Sequence, residues 1–289
     1  MTDSREFLQL SAPLAWKLAP QLCRRDPATG ENCEWTHGLW QILRILGVVG
    51  SIEYRSDYFR RALEGVSGST PRVLLSGAAD YATLECVLAL FRARGVEPQI
   101  TVVDMCETPL ALNRWYAERV ACTIETHCSD IMDFESENPF DAICTDAFIG
   151  RFPQDRRTAL VARWHDLLRP GGLAVTYNRL RRNGGSAAVG FSTAQADGFA
   201  RAVRAAAGPL QTMLEIAPET LEQHARLYAE RHVTYPLQSE QELRDLFERA
   251  GFSVDNLELS RTDAGAAPAA SGPSIRSGAE YAGITASRR

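Results

Sequence analysis

RVLLSGAADY, residues 72–81, is a short apolar strand that stops at Gly77 and opens into the helical pattern of residues 82–94. A second apolar strand, QITVVD at residues 99–104, ends on the carboxylate of Asp104. A strand, a tight turn, a helix and a second strand with a terminal acid place backbone N–H groups and one carboxylate around a nucleoside. The two segments therefore predict a nucleotide-binding α/β domain.

The alternation of strands and helices extends through the middle of the chain. Near-continuous apolar strands that alternate with helices are typical of a parallel sheet covered on both faces. A helix that starts at Ser239 and two further strands follow, so the sequence predicts a mostly parallel, seven-stranded sheet. The predicted strands lie at 72–77, 99–104, 123–128, 140–146, 173–178, 252–259 and 279–286, and the helices among the first five lie at 81–94, 109–120 and 155–168.

Two helical regions accompany this sheet. Residues 1–68 carry helical periodicity and close on the breaker-rich GVSGSTP, so we interpret them as an N-terminal helical lid. Deletion of residues 1–60 is expected to leave the sheet domain able to fold but inactive. Residues 69–289 form the nucleotide-binding domain, with a helical insert at 185–235. Residues 263–278, rich in Ala, Gly, Pro and Ser, are predicted to be a loop.

Composition limits the classes of partner. The chain has 289 residues, of which 45% are hydrophobic, and its 31 basic and 36 acidic residues give a formal charge of -5. Such a chain is poorly suited to bind nucleic acid through a basic surface. The amino terminus lacks a signal-peptide pattern and no apolar run reaches membrane-spanning length, so we predict a cytoplasmic protein with no membrane partner. Whether the chain forms a homodimer stays open.

The cysteine pattern predicts no metal site. The seven cysteines are odd in number and show no Cys-x-x-Cys pair, so we interpret them as reduced core residues. His37, within the aromatic segment EWTHGLW, is interpreted as part of a packed helix. The cysteines are Cys23, Cys33, Cys86, Cys106, Cys122, Cys128 and Cys144.

Further segments complete a recognisable pattern. Ser129-Asp130-Ile131 follows the third strand, FDAICTD at 140–146 forms the fourth, and LRPGG at 168–172 precedes the fifth. Together with Asp104, these segments resemble the class I S-adenosylmethionine-dependent methyltransferases over residues 72–180. The resemblance implies a Rossmann-like class I methyltransferase fold and S-adenosyl-L-methionine as the cofactor.

The resemblance also implies individual roles. Asp104 is expected to bind the ribose hydroxyls, Asp130 with Ile131 the adenine, and the Gly77 turn the methionine part. The turn departs from the family pattern, because Ala79 and Tyr81 replace its later glycines and Leu75 replaces its acid. Asp80 is therefore expected to hold the cofactor's amino group. The full set of predicted cofactor contacts is Ser76, Gly77, Ala78, Asp80, Tyr81, Asp104, Met105, Asp130, Ile131, Phe134 and Thr145.

Attack on a carbon beside a sulfonium needs exclusion of water and π surfaces around the positive sulfur. The predicted catalytic residues are therefore Tyr177, Asn178, Phe148 and Tyr54. Tyr177 would present its ring to the sulfonium. The carbonyl of Asn178 would accept a hydrogen bond from an amine of substrate or cofactor.

Three functions stay open. Methyl transfer to an oxygen or nitrogen of a small metabolite is favoured, since the lid and insert stand where the family builds its acceptor pocket and no Asn-Pro-Pro-Tyr motif of base methylation is present. Alternatively, residues 76–81, 115–116 and 177–181 resemble azetidine-2-carboxylate synthases, in which the α-amine of S-adenosylmethionine attacks its own γ-carbon and releases methylthioadenosine. The third is a non-catalytic cofactor-binding scaffold.

Overall fold

The computed structural model describes residues 4–24, 30–49, 52–182, 188–261 and 280–289. The strands in these residues are β1 (Arg72–Ser76), β2 (Gln99–Asp104), β3 (Ile124–Cys128), β4 (Phe140–Asp146), β5 (Leu168–Leu180), β6 (Phe252–Arg261) and β7 (Glu280–Arg288). The α-helices are α1 (Ser4–Leu22), α2 (Glu34–Ile45), α3 (Ser56–Leu63), α4 (Ala82–Arg92), α5 (Glu107–Arg119), α6 (Gln154–Leu167), α7 (Thr193–Ala207), α8 (Gln211–Leu214), α9 (Pro218–Arg231) and α10 (Glu240–Arg249). Short 3-10 helices cover Ile52–Arg55, Ile149–Arg151 and Gly208–Leu210.

The strands form one seven-stranded sheet in the order β3-β2-β1-β4-β5-β7-β6. Strands β1 to β5 are mutually parallel, and β7 runs antiparallel to both β5 and β6. The predicted mostly parallel α/β sheet is thereby confirmed. The strand order reverses beside β1, since β2 lies on one side of it and β4 on the other. The crevice outside the carboxyl ends of strands at such a switch point is where ligands bind.

Alternating side chains of the central strands build two cores. Leu75 and Val175 face one side of the sheet, where Phe59 and Tyr116 pack against them. Their neighbours in sequence point the opposite way. On that second face Trp164 is fully buried among the side chains of β1, β4 and β5, together with α10.

The LRPGG segment lies inside β5 rather than before it. A Cβ atom at Gly172 would stand 2.9 Å from the carbonyl oxygen of Arg169 and 3.0 Å from that of Phe140, so only glycine fits. The β4–β5 register shifts at this point, between Phe140 and Ala142. The sequence missed the extra length because a Pro-Gly-Gly run indicates a turn.

The helix predicted after Ser239 is confirmed together with its cap. The Ser239 hydroxyl accepts the Glu242 N–H at 3.1 Å. The carboxylate of Glu242 accepts the N–H of Gln238 at 2.6 Å. The loop predicted at 263–278 lies outside the described residues.

The N-terminal helices are part of the core. One apolar cluster contains Phe7 of α1, Tyr58 and Phe59 of α3, and the buried side chains of β1 and β4 on the same face of the sheet. Helix α2 packs against the helices of the insert through a third cluster, which includes Leu39 and Phe199. This packing argues against the expectation that the sheet domain folds without residues 1–60. No helix in the described ranges has both the length and the apolar character that crossing a membrane requires.

Candidate functional site

The carboxyl ends of four parallel strands meet at one edge of the sheet, which we call the ligand edge. It comprises the residues that end or directly follow β1, β2, β4 and β5. The registers pair Ser76 of β1 with Val103 of β2, and Asp146 of β4 with Tyr177 of β5. Strand ends from distant parts of the sequence, including the predicted site residues Ser76 and Tyr177, are thereby brought to one edge.

The turn after β1 requires glycine. Gly77 has a φ of +75°, in the left-handed region, and a Cβ atom there would overlap the ring of Phe148. Its N–H donates to the carbonyl oxygen of Val103 at 2.9 Å, which fixes the turn against the end of β2. Phe148, predicted to be catalytic, therefore lies directly on the turn that is predicted to contact the methionine part of the cofactor.

Asp104 fixes two backbone segments. Its Oδ2 accepts the Ala78 N–H at 2.9 Å and its Oδ1 accepts the Cys106 N–H at 2.8 Å. Burial raises the pKa of Asp104, and the charge of His37 with these two N–H groups works in the opposite direction. Each carboxylate oxygen keeps lone pairs for a further donor, so the side chain retains capacity for the hydroxyls of a ribose.

Two more predicted contacts lie near Asp104 with accessible side chains. Met105 is 72% exposed, although large apolar side chains are usually covered. Asp130 is half-buried, and its Oδ1 accepts the Met132 N–H at 3.0 Å, so it shapes the turn after β3. Both positions are compatible with the predicted adenine side of the site.

Ser76 and Tyr81 are occupied elsewhere. The Ser76 hydroxyl accepts the indole N–H of Trp164 at 3.0 Å beneath the sheet. Tyr81 is fully buried, its ring stacks on Tyr116 at 4.7 Å, and its hydroxyl lies 3.2 Å from that of Ser11. The structure thus corrects the view of Tyr81 as a surface for the cofactor, because its ring is consumed by core packing.

Ile131 and Phe134 are also core residues. Both are buried in the cluster on the Trp164 face, and Phe134 contacts the rings of His127 and Phe140. Their contact with the cofactor stays a prediction. Tyr54 lies in the 3-10 helix Ile52–Arg55, and its side chain falls outside what the structure describes.

Asp80 is committed to an ion pair with the N-terminal helices. Its Oδ2 accepts a hydrogen bond from Arg44 of α2, and both side chains are 3% exposed. Its Oδ1 accepts the Ala82 N–H at 2.8 Å, at the start of α4. The carboxylate expected to hold the cofactor's amino group instead joins α2 to the turn after β1.

A second buried ion pair lies at the end of β4. Arg55 donates through Nη1 to both carboxylate oxygens of Asp146, at 2.6 and 2.5 Å. The guanidinium stands 5.1 Å from the ring centre of Tyr177 and 4.6 Å from that of Tyr281. Burial raises the pKa of Asp146, and Arg55 opposes that shift. Cation–π contact and ion pairing together hold this arginine beside the predicted catalytic tyrosine.

Tyr177 and Asn178 point to opposite faces of the sheet. The Tyr177 hydroxyl forms a hydrogen bond with the Ser260 hydroxyl, on the face of the sheet that carries Arg55. Asn178 is 1% exposed and donates to the Thr176 hydroxyl at 3.0 Å. Its Oδ1 and the Oγ1 of Thr145 are buried without a hydrogen-bond partner among the described residues. One pocket therefore does not receive both Tyr177 and Asn178, while the two unpartnered oxygens call for a donor from water or a ligand.

Sequence reasoning missed three charged residues of this region: Arg44, Arg55 and Asp146. The signal for Asp146 was present, since it ends a buried strand as Asp104 does. The two arginines carry no local signal, because their partners are distant in sequence. The prediction of no metal site also overlooked a cluster that only the fold assembles, namely Cys23, Cys33, His37 and Cys106.

Residues 83–172 match a protein family described as a methyltransferase domain. The match begins in α4 and ends in the glycine turn of β5, so it contains β2, β3 and β4 with Asp104, Asp130 and Asp146. No match was found among curated proteins.

Solved structures with a similar fold include known and proposed enzymes. The cyclase SpnF is 14% identical, with a TM-score of 0.52 and coverage of 98% of this chain and 94% of that one. A proposed sarcosine dimethylglycine methyltransferase from Galdieria sulphuraria is 9% identical, with a TM-score of 0.51 and coverage of 96% and 98%. TehB from Haemophilus influenzae is 12% identical, with a TM-score of 0.50 and coverage of 89% and 68%. At these identities the likeness concerns the fold alone.

Proposed function

We propose that this chain, a member of the class I S-adenosylmethionine-dependent methyltransferases, transfers a methyl group to an oxygen or nitrogen of a small metabolite. When bound, S-adenosyl-L-methionine supplies an electrophilic methyl group on a sulfonium. The residues of the chain bind that cofactor, exclude water and orient the acceptor.

Three features of the ligand edge support this assignment of the cofactor site. Asp104 has lone pairs free for the ribose hydroxyls, and Met105 beside it offers an exposed apolar surface for a base. The left-handed Gly77 lets backbone approach the ligand without a side chain in between. Asp130 lies half-buried in the turn after β3, and we assign its carboxylate to the adenine.

One observation supports the proposal of a small acceptor: the N-terminal region and the insert both contact residues that end or follow strands of the ligand edge. Arg44 and Arg55 of the N-terminal region pair with Asp80 after β1 and with Asp146 at the end of β4. On the insert side, the Tyr235 N–H donates to the Gly150 carbonyl at 2.8 Å, in the segment after β4. Contacts of this kind from two sides favour a metabolite over a macromolecule as the acceptor.

We assign Asp146 as the group that receives the proton released by the acceptor. A base works best when its pKa is close to the working pH, and burial raises the pKa of this carboxyl. Arg55 holds both oxygens in place, and each oxygen keeps a lone pair toward the acceptor. The rings of Tyr177 and Tyr281 exclude water from this side.

The decisive experiment is product identification with the full chain. The protein is incubated with methyl-labelled S-adenosylmethionine, alone and with pools of small hydroxyl and amine compounds, and the products are identified by mass spectrometry. The proposal predicts S-adenosylhomocysteine and a labelled product only when an acceptor is present. An Asp146→Asn variant with unchanged cofactor binding should lose turnover.

Two outcomes would overturn methyl transfer. Methylthioadenosine with azetidine-2-carboxylate in the absence of an acceptor would establish the intramolecular cyclisation instead. Binding of the cofactor without turnover across the pools would establish a non-catalytic scaffold.

A further inference from the structure

Four metal-binding side chains from three segments meet beside the ligand edge. Cys23 directly follows α1, Cys33 and His37 lie at the start of α2, and Cys106 precedes α5. Their ligand atoms all lie within 4.8 Å of one another, and Cys23 and Cys106 are buried. Because no local spacing joins the segments, the sequence pattern alone conceals the cluster.

Two of the distances between ligand atoms match those expected around a tetrahedral ion. Zinc–sulfur bonds of about 2.3 Å and zinc–nitrogen bonds of about 2.0–2.1 Å place tetrahedral ligands about 3.8 Å apart for two sulfurs and about 3.6 Å apart for sulfur and nitrogen. The Sγ atoms of Cys23 and Cys106 are 3.5 Å apart, and Cys23 Sγ is 3.6 Å from His37 Nδ1. Cys33 and His37 are four residues apart at the start of one helix, which places both on the same face.

Neighbouring groups can support these side chains once they bind an ion. Cys33 and Cys106 occupy the N-cap positions of α2 and α5, where free N–H groups and the helix dipole stabilise negative charge. The Thr108 hydroxyl lies 3.1 Å from Cys23 Sγ and is placed to donate to it. Outer hydrogen bonds of this kind orient metal ligands.

We propose that Cys23, Cys33, His37 and Cys106 bind one structural Zn²⁺ ion. Three thiolates and one imidazole in tetrahedral disposition are a ligand set that zinc prefers. All four positions are supplied by the protein, so the ion is closed to substrate and its role is to hold the fold together.

The ion would link the N-terminal helices to the cofactor site. Cys106 donates its N–H to Asp104 Oδ1 at 2.8 Å, so a ligand of the metal and the proposed ribose-binding carboxylate share one turn. Zinc would thus fix the ends of α1 and α2 to the turn after β2. Metal loss is expected to weaken cofactor binding, because the turn that carries Asp104 would lose its link to α1 and α2.

The first test is the metal content of the full chain, purified without chelators or an affinity tag that binds metal. Mass spectrometric elemental analysis should find about one zinc ion per chain, as a closed four-ligand site requires. Cobalt(II) added to chelator-stripped protein should give the intense visible bands of tetrahedral cobalt thiolate. This spectrum needs no variant, so it stands even where substitution impairs folding.

Matched variants locate the site. Cys33→Ser and Cys106→Ser should lose most of the zinc, whereas Cys122→Ser, at a half-buried cysteine outside the cluster, should retain it. Metal-free wild-type protein that also fails to bind cobalt would overturn the proposal. So would a Cys23–Cys106 disulfide in freshly purified protein, or equal zinc loss in Cys122→Ser.

Discussion

Arg55 donates two hydrogen bonds to Asp146, at 2.6 and 2.5 Å, and so joins the N-terminal helices to the carboxyl end of β4. The two side chains are only 10% and 15% exposed. Removing one partner of a buried pair leaves an uncompensated charge, so Arg55→Met should lower the free energy of unfolding by about 3 kcal/mol. The double variant Arg55→Met/Asp146→Asn should lose less than the sum of the single variants.

Urea unfolding of the four proteins in this cycle measures the coupling. Arg60→Met is the control, because Arg60 pairs with Glu64 on the exposed side of α3, where ion pairs contribute little. Additive losses in the cycle would show that Arg55 and Asp146 do not act as a pair.

Removal of residues 1–60 should abolish folding of the remaining chain. The deletion removes Phe7, Tyr58 and Phe59 from the core of the sheet and leaves Asp80 and Asp146 without their arginines. Exposed apolar surface and unpaired buried charge both oppose the folded state. The truncated chain is expected to be insoluble or to melt without a cooperative transition in circular dichroism. A soluble, cooperatively melting truncation would instead support a separable lid.

Gly77→Ala should destabilise the protein more than Gly47→Ala. Both glycines have positive φ, so alanine costs about 1–2 kcal/mol of backbone strain at either position. Only at Gly77 does the new Cβ atom also overlap Phe148, whereas nothing lies within 4 Å at Gly47. Thermal unfolding measures the difference, which should shrink in a Phe148→Ala background. Equal losses at both glycines would contradict the contact with Phe148.

The insert should loosen as the pH falls. Burial, helped by the charges of Arg151 and Arg179, lowers the pKa of His232 from 6.5 to about 3. Between these values the unfolded chain binds a proton that the folded chain does not, so stability is lost as the pH falls through this window. Within this window, His232 is expected to lower the free energy of unfolding by about 1.4 kcal/mol for each pH unit of acidification.

His232→Phe preserves a ring against Tyr228, which lies 5.0 Å away, and should flatten this slope. His127→Gln, at an exposed histidine, is the matched control. Denaturant unfolding between pH 7 and pH 4 compares the three proteins. An unchanged slope in His232→Phe would assign the acid sensitivity to other groups.

The local sequence pattern predicts the structural features that depend on residues close together in the chain. The alternation of apolar strands with helices indicated the sheet, and strand-terminal Asp104 indicated the ligand edge, because the carboxyl ends of parallel strands necessarily meet. The packing of Tyr81 could not be predicted, because its ring stacks on Tyr116, which is 35 residues further along the chain. The pairing of Arg44 with Asp80 likewise follows from tertiary packing, which no local periodicity encodes.

Calorimetric titration with S-adenosylhomocysteine tests most directly whether Asp104 holds the cofactor at the ligand edge. Asp104→Ala should weaken binding by about 1.5 to 3 kcal/mol for each charge-assisted hydrogen bond lost. Asp155→Ala, at an exposed carboxylate in the first turn of α6, should bind as the wild type does. Because Asp104 also anchors the Ala78 and Cys106 amides, thermal unfolding must show that the variant is folded at the titration temperature. A folded Asp104→Ala protein with wild-type affinity would contradict the account.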